Sequence, residues 1–138
     1  MSNLKILVPL DGTEKSMHSI SWLKKFFRKE DIEITMINIV YSELIYRGEL
    51  TPVSSFENVG YKSKLVLEKA AKELEGYKVN KISTKGYISD VILKEAKNGK
   101  YDMIVMTKSS IKGISRIVGS ETNKVVHHSD VTTIIVPE

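Results

Sequence analysis

The chain has 138 residues, of which 41% are hydrophobic and 28% charged, with no cysteine and a formal net charge of +4. These values predict one globular domain, residues 1–138, and they exclude disulfides, zinc–thiolate sites and thiol catalysis. No apolar run reaches the roughly 20 residues of a membrane helix and no signal peptide is evident, so we expect a cytoplasmic protein with neither a membrane nor a nucleic acid as partner.

Short apolar runs alternate with helical patterns along the chain. We expect strands at residues 5–10, 33–40, 79–85, 101–106 and 132–136. The helical patterns between them begin after Thr13, at Phe56, at a cap formed by Ser89 or Asp90, and at a cap formed by Ser120. This βαβαβαβαβ order predicts an α/β, Rossmann-like fold, a doubly wound five-stranded parallel sheet in which the polar 79–85 strand lies at an edge.

The loop after the fourth strand is the main candidate site. It carries the polar residues Lys108, Ser109, Ser110 and Lys112 at the carboxyl end of the strand, where open α/β sheets place their ligands. Asp11 follows the first strand and should line the same crevice. Gly119 and Ser120 then predict a helix start whose free amides suit a phosphate group. An ordinary strand-to-helix connection with a capping serine is the alternative interpretation.

No catalytic or metal-binding constellation is evident in the sequence. His127 and His128 are adjacent and cannot share a helical face, so we expect surface positions that complement a helix dipole rather than metal ligands. His18 stands alone in the first helix. We therefore expect no efficient enzyme activity, and at most slow, incidental hydrolysis of ATP.

The two ends of the chain resemble the universal stress protein family. The resemblance rests on ILVPLDGTEKS near the amino terminus and GSETNKVVHHSDVTTIIVPE at the carboxyl terminus, with the βα alternation between them. It implies a sheet in the order 3-2-1-4-5, a homodimer and, in one branch of the family, an ATP site.

The ATP-binding branch carries a G-x2-G-x9-G-[ST] pattern after the fourth strand, of which this chain keeps only Gly119-Ser120. Thr107 and Ser110 stand at the first two glycine positions if the loop is one residue short, and Met106 and Ser109 stand there if it is not. Neither alignment restores a glycine. The resemblance therefore implies that side chains occupy space through which a backbone would approach phosphate.

Other residues match the nucleotide contacts of the family. Asp11 matches the acidic residue beside adenine and ribose, although a cap on the first helix explains it equally well. Pro9 and Ile39 match contacts to the base, and Thr122 matches a phosphate-binding hydroxyl. Glu121 departs from the small or apolar residue usual at its position, and its charge would repel a triphosphate.

We therefore expect a stress-response regulatory protein that binds ATP weakly through a degenerate site and forms a homodimer through its C-terminal strand. In the proposed order that strand lies at a sheet edge, where an apolar strand invites a second copy. The alternative is a dimeric interaction module of the same fold that binds no nucleotide and acts through protein partners.

Overall fold

The computed structural model describes residues 3–41, 54–107 and 115–137. The strands are β1 Leu4–Pro9, β2 Ile32–Tyr41, β3 Lys78–Gly86, β4 Met103–Thr107 and β5 Thr132–Val136. The helices are α1 His18–Phe26, α2 Ser54–Glu73, α3 Ile88–Asn98 and α4 Ser115–His128, with a short 3₁₀ turn, Lys15–Met17, before α1. Ser109, Ser110 and the rest of residues 108–114 lie outside the described residues.

The five strands form one parallel sheet in the order β3-β2-β1-β4-β5. This confirms the predicted fold class and the edge position of β3. The chain order reverses between β1 and β4, where Ile6 pairs with Met103 and Leu7 with Ile104. Continuing that register by two residues places Pro9 level with Met106, so the ends of β1 and β4 border the same crevice.

Strict alternation along the strands divides the core into two layers. Ile6 and Val8 point toward the layer that contains Ile20 of α1 and Leu67 of α2. Leu7, between them, belongs to the opposite layer, which contains Ile92 of α3 and Val125 of α4. From Ile6 onward β1 is buried on both sides, and its sequence from Ile6 to Pro9 is therefore continuously apolar, as the central strand of a parallel sheet requires.

Two predicted helix caps are wrong. Helix α3 begins at Ile88 after Tyr87, whose side chain makes no capping hydrogen bond, so Ser89 and Asp90 lie inside the first turn. Helix α4 begins at Ser115, five residues before the predicted cap at Ser120. In both cases the helix begins earlier in the chain than the predicted capping residue. In α3 the additional residue Ile88 packs into the core and is only 7% exposed.

Within the described ranges, no helix is both long and apolar enough to span a membrane.

Candidate functional site

The turn after β1 is organised by one oxygen of Asp11. Its Oδ1 accepts hydrogen bonds from the Thr13 amide at 2.8 Å and the Thr13 hydroxyl at 2.6 Å. Thr13 in turn accepts a bond from the Ser16 amide on its Oγ1, at 3.2 Å, and from the Ser16 hydroxyl on its carbonyl, at 2.8 Å. Oδ1 therefore closes an Asx turn onto Thr13. The expectation that Asp11 caps the first helix is wrong, because the 3₁₀ turn follows Glu14 and α1 follows Met17, and neither helix start has a side-chain capping bond.

The other oxygen of the same carboxylate has a different environment. Asp11 Oδ2 is buried, and no hydrogen-bond donor of the described residues reaches it. A buried carboxylate oxygen without a donor costs free energy, and native proteins rarely leave such an atom unsatisfied. Asp11 thus brings to the crevice an acceptor that the described part of the fold does not use.

Gly12 lets helix α2 approach this turn closely. Its φ of +89° lies in the left-handed region, and a Cβ atom there would be 3.0 Å from Cγ2 of Val66. Only glycine adopts this conformation without strain, and it also leaves room for the valine. The conformation of Gly12 therefore permits both the sharp turn after Asp11 and the close approach of α2.

Asn38, which the sequence interpretation missed, connects β2 to the crevice. Its side-chain amide donates to the Leu10 carbonyl at 2.7 Å, and the Leu10 amide donates to the Ile37 carbonyl at 2.9 Å. Asn38 is 8% exposed. These two bonds hold the backbone immediately before Asp11, so Asn38 is a positioning residue for the turn. The available signal was an amide side chain within the largely apolar run EITMINIV.

The predicted contacts at the strand ends are more buried than Asp11. Met106 and Thr107 are fully buried at the end of β4, and Pro9 is buried at the end of β1. The side chain of Ile39 is half-buried and packs against the core layer that contains Met106. Alternation places Met106 in the layer of α3 and α4, whereas Thr107 lies on the side of Val105 and α1.

Helix α4 presents a different surface from the one expected. Because it begins at Ser115, the amides that lack an intrahelical partner belong to residues 115–118, and Gly119 and Ser120 lie in the second turn. Thr122 is 8% exposed and lies one turn before Val125, which is fully buried against the sheet. The sequence interpretation placed the free helix start five residues too late.

The histidines occupy exposed positions, as expected. His127 and His128 are in the last turn of α4, where positive charge complements the helix dipole, and His18 is exposed in α1. Across the described ranges, no three metal-binding side chains of histidine, cysteine, aspartate or glutamate come together.

One protein-family model matches nearly the whole chain. A family model described as the universal stress protein family matches residues 3–137. A comparison with curated proteins finds no match.

Solved structures of similar fold cover the chain from end to end. The hypothetical protein MJ0577, the subject of a structure-based assignment of biochemical function, is 25% identical with a TM-score of 0.84, over 100% of this chain and 98% of that one. A universal stress protein in complex with cAMP is 14% identical with a TM-score of 0.70, over 99% and 98% of the two chains. A family protein from Arabidopsis thaliana with AMP bound is 17% identical with a TM-score of 0.65, over 98% and 92%.

Proposed function

The chain belongs to the universal stress protein family, and we propose that it is a stress-response regulatory protein that binds an adenine nucleotide between the ends of β1 and β4. Similar structures hold cAMP and AMP. The two ligands share an adenosine group and differ in their phosphate. The adenosine part of the nucleotide is therefore the part that we propose this chain recognises.

The free oxygen of Asp11 is the observation that carries this proposal. Oδ2 is buried at the crevice and receives no hydrogen bond from the described residues. A ribose hydroxyl is a neutral donor of the right kind for a carboxylate oxygen, and the resulting charge-assisted bond would offset the cost of burying that oxygen. In this proposal Pro9 and Ile39 contact the base beside it.

The phosphate end of the site is proposed to be weak. Thr107, which stands at the first glycine position of the ATP-binding branch if the loop is one residue short, is fully buried, as is Met106, which stands there if it is not. Gly119 and Ser120 lie within α4 rather than at its start. We propose that Ser110, Ser120 and Thr122 contact the phosphates through their hydroxyl groups, with Gly119 beside Ser120 in α4, and that the buried Thr107 restricts the approach of the phosphates. In this proposal ATP binds little more tightly than AMP, because few backbone amides reach its additional phosphates.

Calorimetric titration of AMP, cAMP and ATP tests the proposal. Asp11→Asn keeps one side-chain oxygen for the Thr13 bonds but replaces the other with an amide donor, so it should abolish ribose recognition and preserve the melting temperature. Asp11→Ala should lower both the affinity for the nucleotide and the melting temperature. The proposal is wrong if wild type binds no nucleotide and none is released on denaturation, or if Asp11→Asn binds as tightly as wild type.

A second candidate function is an interaction module that binds no nucleotide. The buried side chains of Met106 and Thr107 favour it, since in either alignment one of them replaces the first glycine of the ATP-binding branch. Absence of nucleotide from the purified protein and from every titration would support this alternative.

For either function we propose a cytoplasmic homodimer that forms through β5. This strand lies at the end of the sheet beside β4, and Ile134 and Ile135 are only half-buried there. A symmetric copy would cover these side chains and pair the strand edge. Sedimentation of the purified protein measures the mass directly.

A further inference from the structure

The end of α1 carries an exposed aromatic and basic surface, which we call the amino-edge patch. It consists of Trp22, Lys24, Lys25, Phe26 and Lys29. The amide of Leu4, the first residue of β1, donates to the Asp31 carbonyl at 3.0 Å, so the segment after α1 lies at the amino edge of the sheet. The Asp11 crevice lies at the opposite, carboxyl edge.

The aromatic part of the patch protrudes from a rigid support. Phe26 is 58% exposed, and its ring centroid is 5.0 Å from that of Trp22. Trp22 also meets Phe27 edge to face at 5.9 Å, and both of these residues pack against the core. The phenyl group of Phe26 is therefore held outward by buried neighbours and is not free to fold back onto the protein.

One lysine ammonium lies beside this phenyl group, and two further exposed lysines lie close to it in the sequence. Lys25 Nζ lies 5.6 Å from the centroid of the Phe26 ring, and Lys24 and Lys29 are exposed nearby in the chain. Arg28 is engaged with Asp31 at 3.0 Å. The segment WLKKFFRKED, which contains the exposed aromatic group, carries four basic and two acidic side chains and therefore a net charge of +2.

We propose that the amino-edge patch docks the protein on the surface of an anionic lipid membrane. The apolar face of α1 is buried in the core, so the contact with lipid falls to its exposed end. Basic side chains beside an exposed aromatic group favour such a contact with an anionic surface. The patch is one helix end that projects outward, whereas a specific protein partner requires about 1,200 Å² of buried complementary surface. A lipid surface requires no complementary shape.

Docking at the amino edge leaves the Asp11 crevice facing the solvent, because the two lie at opposite edges of the sheet. Nucleotide access and membrane contact are then independent. The expectation of no membrane partner rested on the lack of a spanning segment, and a surface patch is compatible with that lack.

Co-sedimentation with vesicles tests the proposal at low salt, with an equimolar mixture of phosphatidylcholine and phosphatidylserine compared with phosphatidylcholine alone. Wild type should bind the anionic vesicles and be released by added salt. Lys24→Ala and Lys25→Ala should each lower the partition about fivefold, and Phe26→Ala should lower it about tenfold.

Matched controls lie on the solvent face of α2. Tyr61 is 65% exposed and Lys64 is exposed, so Tyr61→Ala and Lys64→Ala remove the same kinds of group elsewhere. Both should bind vesicles like wild type, and all variants should retain the wild-type circular dichroism spectrum. The proposal is overturned if wild type does not bind anionic vesicles, if the controls lose as much binding as the patch variants, or if wild type binds polyglutamate but not vesicles, which would indicate an acidic protein partner.

Discussion

Tyr101 provides the sharpest test of the energetics at the amino edge of the sheet. Its hydroxyl donates to Glu95 Oε2 at 2.9 Å, and only 8% of the residue is exposed. Burial raises the pKa of Tyr101 from 10 to about 12, helped by the nearby Glu95 charge, while a hydrogen bond with Thr35 acts in the opposite direction. The neutral phenol is therefore the form that the folded state stabilises.

The direction of the pH dependence follows from this shift. Between pH 10 and about 12 the unfolded chain has lost the phenolic proton, whereas the folded chain keeps it. The stabilisation is thus complete below pH 10 and is lost as the pH rises through this window. At 1.36 kcal/mol per pKa unit, the loss reaches at most about 2.7 kcal/mol.

The substitution Tyr101→Phe isolates this contribution, since every other titrating group is common to both proteins. At pH 8 the variant should be less stable by about 2 kcal/mol, because it lacks a hydrogen bond to a charged group. The difference should shrink steadily from pH 10 to 12. Urea unfolding followed by circular dichroism measures it, with Tyr61→Phe, at an exposed tyrosine, as the matched control. A difference that stays constant over this range would refute the reasoning.

Three further predictions address the sheet and the crevice. Ile134→Lys should convert the proposed dimer to a monomer in sedimentation velocity, and an unchanged mass would place the interface elsewhere. Thr107→Gly should tighten ATP binding about tenfold while lowering the melting temperature, and calorimetry that shows no tightening would mean that this side chain does not limit phosphate approach. Ile104→Ala should cost about 3–4 kcal/mol of unfolding free energy, since Ile104 is fully buried, whereas Leu4→Ala, at a 38% exposed position, should cost far less by urea titration.

The sheet was predictable because its signal is long and redundant. Four of the strands are separate, largely apolar runs. The polar character of β3 indicates an edge position, which is where the structure has it. Helix starts were less predictable, since a serine such as Ser120 or Ser89 has the chemistry of a cap wherever it stands. The tertiary packing of Ile88 decides that α3 begins before Ser89.

The candidate site was only half predictable for a related reason. The position of Asp11 after β1 indicates the crevice, but a sequence does not separate the two oxygens of one carboxylate. Likewise, the role of Asn38 depends on the Leu10 carbonyl, 28 residues away in the chain. Contacts of this kind follow from strand register, and no local pattern encodes them.

The two carboxylate oxygens of Asp11 have different environments, and this difference bears on why the position carries a carboxylate. Closing the turn requires one acceptor oxygen, which asparagine or serine supplies as well as aspartate does. Aspartate adds a charge whose second oxygen is buried without a donor among the described residues, and that burial is unfavourable in the free protein. The turn alone does not account for this cost. A donor from the proposed nucleotide would account for it, so comparing Asp11→Asn with wild type separates the contribution of Asp11 to folding from its contribution to binding.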